Sequence, residues 1–201
     1  METPTRLRQA SKLDPCYVAP IVLRGENPKM AGEFKLQFAA ADILRLAKSY
    51  GPENDTAALE AGREIRDGKY TREHLSLIFE WKTKGRGRSR LLRNSDQEIS
   101  DALNLAVSAK TDRAAVAVLM GLDGVHTPVA SAVLTAIDPE RYTVIDFRAL
   151  EALGSQSKDR SVSFYLAYLN FCRESAKVHR VRLRDFDRAL WQWSNEQGQA
   201  A

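Results

Sequence analysis

The chain has 201 residues, 44% hydrophobic and 28% charged, a globular composition long enough to bury a core without disulfide or metal staples. Thirty Lys and Arg against 26 Asp and Glu leave a net charge of +4, too small an excess to identify a polyanionic partner by itself. No run approaches the ~20 apolar residues of a membrane span, and Cys16, Cys172 and the histidines at 74, 126 and 179 show no metal-ligand or cluster spacing.

Residues 1–30 carry Pro4, Pro15, Pro20 and Pro28, which remove backbone donors and disfavour helix before them, so an irregular N-terminal arm is expected. Met1–Arg6 has basic character with no apolar core behind it, which predicts no secretion signal and a cytoplasmic protein, nucleoid-associated in a bacterium. From Ala31 the pattern turns helical, with Phe34, Phe38, Ile43, Leu44 and Ala47 near helical spacing until Gly51-Pro52. Asn54 or Asp55 caps a helix through Arg66, closed by Asp67-Gly68. Thr71 caps the next, with Leu75, Ile78 and Phe79 inside, running into a segment punctuated by Gly85 and Gly87. Ser95 and Glu98 form a capping box for a helix carrying Ile99, Leu103, Ala106 and Val107. Thr111 or Asp112 caps Ala114–Leu122, and Thr127-Pro128 opens Val129–Ile137, which ends at Asp138-Pro139. Tyr142–Ile145 is a short β-prone run, too short to build a sheet. Asp146 then caps Phe147–Leu153, closed by Gly154, and two last helices cover about Val162–Ala176 and Arg184–Ser194. With no sustained period-two alternation the fold class is all-α, a single unit over 31–196 followed by a tail at 197–201.

Charge is patched along this frame. Trp81–Asn94 holds six cations and no acid, and Arg173–Arg188 holds six cations against three acids. Lys82, Lys84, Arg86, Arg88 and Arg90 are candidates to follow a phosphate backbone, although such a run also reads as a solvated loop.

The informative stretch is Val118–Ala152. Its first part, 114–137, reads helix, tight turn, helix, with Gly124 freeing the turn and Ala130, Ser131 and Ala132 allowing close approach. Amides of Gly124, Val125, His126 and Thr127, at the turn and the second helix's N-terminus, point outward as phosphate donors. A plain αα-corner has the same local pattern. Asp146, after an apolar run and before an amphipathic helix, is in turn a common N-cap.

Leu122-Asp123-Gly124-Val125-His126-Thr127-Pro128-Val129-Ala130, followed by Val144-Ile145-Asp146, resembles the signature of the helix-hairpin-helix DNA glycosylase superfamily, which includes endonuclease III-like and adenine glycosylase-like enzymes. The match covers some 35 residues, with Gly124, Val125, Ala130 and Asp146 in the family's positions. The resemblance implies a two-lobed helical body that grips duplex DNA by its backbone and turns a damaged or modified base into a cleft. It makes Asp146 the catalytic carboxylate, stabilising an oxocarbenium-like sugar. Trp81, Tyr142 and Arg148 are candidates to contact or wedge the base. His126 replaces the second hairpin glycine, and Glu151 stands where the family often has Arg. Pro128 stands where bifunctional members carry the lyase lysine, and the cluster-binding cysteines of many members are absent. The expectation is therefore a monomeric, monofunctional N-glycosylase of base-excision DNA repair that needs no cofactor or metal, with double-stranded DNA as partner and no membrane. The alternatives are a non-catalytic DNA-binding module of the same fold and a helical protein-interaction domain.

Overall fold

Short polar side chains mark most points where the backbone enters a helix. The computed structural model describes residues 33–200, which lie in one compact unit over 32–201, so the expected arm over 1–30 lies outside the described residues. Among them are ten α-helices and no strand: α1 (Ile43–Tyr50), α2 (Thr56–Arg66), α3 (Arg72–Thr83), α4 (Arg88–Leu91), α5 (Asp96–Ser108), α6 (Asp112–Leu119), α7 (Thr127–Ile137), α8 (Phe147–Ala152), α9 (Val162–Val178) and α10 (Leu183–Ala200). The protein is all-α, and no described helix is long and apolar enough to cross a membrane. Thr71, Thr111, Asp146 and Ser161 each accept a hydrogen bond from an amide three residues on, and Ser95 with Glu98 makes both halves of a capping box.

Helix α7 is the centre of one half of the core. Ten of its eleven residues are buried, as an all-round apolar helix requires, with α2, α3 and α6 against it. Gly62 of α2 touches it most closely: a Cβ there would lie 2.1 Å from the Ala136 backbone carbonyl. Helix α10 organises the other half, packing on α1, α8 and α9, and it continues through Ala200 where the composition suggested a tail from 197.

The expected helix start at Ala31 is corrected. Residues 33–38 lie outside any α-helix, and the first helical turn among the described residues is a 3-10 turn at Ala40–Asp42. Phe34 is buried against the rings of Phe164, Tyr168 and Phe171 at 5.6–5.9 Å. The amides of Lys35 and Gln37 donate to the carbonyls of Leu153 and Ala152, both at 2.9 Å. The segment thus satisfies carbonyls left open at the end of α8, and that outweighs its helix-like spacing.

Candidate functional site

Between α7 and α8 the chain crosses the core in an extended run, Tyr142–Ile145, that joins no sheet. Burial obliges its backbone groups to find partners, and side chains supply them. Tyr165 and Tyr168, three apart on α9, donate their hydroxyls to the carbonyls of Thr143 (3.1 Å) and Val144 (2.8 Å). Burial pushes both phenols well above their ordinary pKa, so they stay donors. Ser131 of α7 accepts from the Ile145 amide at 3.1 Å while donating to the Pro128 carbonyl at 2.9 Å. Asp187 of α10 accepts from the Val144 amide at 3.4 Å. Three helices therefore fix the run, and with it the residue that follows.

That residue is Asp146, and it has two roles at once. One carboxylate oxygen caps α8 by accepting from the Ala149 amide at 3.0 Å, while the other takes the Lys82 ammonium at 2.8 Å. Lys82, in the last turn of α3, is 12% exposed at its side chain and Asp146 is 19% exposed. Burial favours the neutral acid, but Lys82 and the capping amides outweigh it and hold the Asp146 carboxyl below the usual carboxylate range.

The pair sits in a cleft of about 720 Å³. Four aromatic side chains line it: Tyr50, Trp81, Phe147 and Trp191. Behind them lies a buried ion network absent from the sequence expectations. Asp55, at the N-cap position of α2 but making no side-chain cap bond, pairs with Arg184 and Arg188 of α10, and Arg184 also pairs with Asp187. Asp55 and Arg184 are almost fully buried, so the charges are tolerable only together. Burial pushes the Asp187 carboxyl up against the pull of Arg184. A single aspartate before a helix carries no long-range pairing signal, so Asp55 reads as a cap. The only hint was its counterpart, two arginines four apart on one face of α10, with Asp187 beside Arg184.

The sequence candidates separate as follows. Asp146, Trp81, Arg148, Lys82, Lys84 and Arg86 all line the cleft. Lys82 does so as the ion-pair partner of Asp146. Arg88 lines a different groove between α3 and α5, and exposed Arg90 lies beside the turn. The run is no open loop: Lys84, Gly85 and Gly87 take positive φ and successive turn bonds fold it over the α6–α7 connection. A Cβ on Gly124 (φ +84°) would approach the Leu91 nitrogen and Arg90 Cβ to 3.0 and 3.1 Å, so glycine is needed there for space as well as conformation. In that connection Val125 is buried and His126 exposed, and at the start of α7 the buried Thr127 donates its hydroxyl to the Arg160 carbonyl. Tyr142 is corrected as well. It lies outside the cleft, with Arg141 and Arg173 over its ring at 5.0 and 5.8 Å, and burial beside Asp112 pushes its phenol up to about 12.

Comparison with protein-family models, with curated proteins and with solved structures finds no match.

Proposed function

We propose that this chain binds duplex DNA and hydrolyses the N-glycosidic bond of a damaged or modified base turned into the cleft, without lyase activity. The observation that carries the reading is Asp146: an ionised, part-buried carboxylate held by three helices in a cleft walled by aromatic rings and cations. Its position in the sequence, after a turn resembling the glycosylase hairpin, is the second support. In the reaction the C1′–N bond breaks and its electron pair leaves with the base. Positive charge develops on the sugar, water adds at C1′, and the proton that water loses ends on the departing base. A fixed carboxylate beside that charge lowers the barrier because it needs no reorganisation. The amides of Gly124, His126 and Thr127, and Lys84, Arg86 and Arg160 around the cleft, would meet the phosphates; the Val125 amide donates to the Leu122 carbonyl at 3.1 Å instead.

One observation favours a second reading. Both Asp146 oxygens already have partners, so the residue would serve equally as a structural cap and ion pair in a non-catalytic DNA-binding module. Purified protein incubated with duplexes, each carrying one damaged or modified base, separates the two. The enzyme reading expects strand breaks at one or more lesions only after alkali, which marks an intact abasic site. Duplex binding with no release from any lesion would leave the module.

A further inference from the structure

The aromatic rings of the cleft are not bare. Each of the four carries a guanidinium: Arg184 lies over Trp81 at 5.5 Å and over Tyr50 at 5.7 Å, Arg188 over Tyr50 at 5.8 Å, and Arg148 over Phe147 at 5.2 Å and Trp191 at 5.0 Å. A π face attracts cations, and here each ring already has one of the protein's own guanidinium groups within cation–π distance.

The charge balance points the same way. Seven cationic and two acidic side chains line the cleft. Lys82, Arg184 and Arg188 are neutralised by Asp146, Asp187 and Asp55. Lys84, Arg86, Arg148 and Arg160 have no carboxylate within ion-pair distance among the described residues. Arg86 donates to the Thr83 carbonyl at 3.1 Å and Arg160 to the Ser157 and Asp159 carbonyls at 2.9 and 2.7 Å, whereas the Arg148 side chain donates to the Ser194 hydroxyl at 3.4 Å, which leaves most of the guanidinium donors of Arg148 open. The unspent donors of the cleft are thus guanidinium and ammonium N–H groups, whose natural partners are carbonyl and anionic oxygens.

We infer that the cleft selects a neutral or electron-rich, carbonyl-bearing ring and excludes a cationic one. Resting on the glycosylase reading, this makes the excised base an oxidised or deaminated, oxygen-bearing base rather than a ring-alkylated cationic base. A cationic base would meet repulsion from Arg148, which has no ion pair among the described residues and lies over Phe147 and Trp191. A neutral carbonyl-bearing base would stack on the guanidinium planes and accept their hydrogen bonds.

Two arms test this on the intact protein. In the first, quenching of tryptophan fluorescence, with Trp81 and Trp191 in the cleft, is titrated with inosine, a neutral purine nucleoside bearing a carbonyl, and with 1-methyladenosine, a cation of similar size. The expected result is an inosine Kd at least ~10-fold lower, the scale of one lost cation–π or charge contact. Arg148→Gln, which uncovers Trp191, should shrink that gap. Equal binding, tighter binding of the cation or no binding of either overturns the inference. In the second arm, base release is scored from duplexes carrying 8-oxoguanine, hypoxanthine or thymine glycol and from one carrying 7-methylguanine. Release confined to the three neutral bases supports it, since 7-methylguanine keeps a carbonyl but is cationic in the duplex. Release of 7-methylguanine alone overturns the inference and leaves the glycosylase reading standing. Preference for inosine with no release from any duplex does the reverse.

Discussion

Asp146 shows why a cap and a candidate catalytic group need not compete for one residue. Its two oxygens face different demands, one from the α8 amide and one from Lys82. The Lys82 contact keeps a part-buried carboxylate ionised, so replacing Lys82 by Gln should raise the Asp146 pKa, read from its carboxyl carbon in an NMR titration. The sign for stability follows. A carboxyl held below its ordinary value of about 4 contributes stability above that value and loses it as pH falls through the folded-state value. Lys82→Gln should therefore shift the acid-unfolding midpoint toward higher pH, and an unmoved Asp146 titration would show that the contact is not maintained in solution. The same contact bears on covalent chemistry. Pro128 has no amine, and the Lys82 side chain is engaged by the Asp146 carboxylate at 2.8 Å, so borohydride should trap no protein–DNA adduct. A trapped adduct mapped to Lys82 would show instead that this amine leaves Asp146 and attacks the sugar.

At the scale of elements, the decisive feature is the close stack of α7 on α2. Gly62 faces the Ala136 backbone with no room for a methyl group. Gly62→Ala should separate the helices and destabilise the protein by ~1–3 kcal/mol, despite the better helix propensity of alanine. Urea unfolding checks the sign, and a stabilised variant would mean the helices relax at no cost. Much of this level was legible in the sequence, because capping is local: Thr71, Ser95-Glu98, Thr111 and Asp146 begin helices as their spacing predicts. What was not legible depends on distant partners. The Phe34 segment gave up its helical spacing to pair with the end of α8, and Tyr142–Ile145 is held by side chains from three helices. Asp146, Trp81 and Arg148 could be named because a motif and a residue type pointed to them. Asp187, Ser131, Tyr165 and Tyr168 could not, since each acts on backbone at least 14 residues away.

For the whole molecule, a net charge of +4 understates the local field. Lys84, Arg86, Arg148 and Arg160 line the cleft without an ion pair among the described residues, while Arg184 and Arg188 of α10 are cancelled by buried acids. DNA affinity should therefore weaken steeply with salt. Neutralising Lys84, Arg86 and Arg160 together should flatten the log–log slope by about 0.9 per lost phosphate contact. Arg88, on the separate groove, is the control, and Arg88→Gln should leave the slope unchanged. If Arg88→Gln flattened it as much as the triple variant, the DNA path would not run along the cleft.

The claim on which the rest depends is that the Asp146 charge acts on the sugar of a base held in the cleft. The most direct measurement is the single-turnover rate of base release from the best lesion duplex by the parent and by Asp146→Asn. Asn keeps the cap-accepting oxygen and the shape but removes the charge. The predicted result is a rate at least ~10²-fold lower, the scale for losing one preorganised electrostatic group, with duplex affinity and helix content preserved. Equal rates for the two proteins would contradict it and leave Asp146 as a helix cap and ion-pair partner alone.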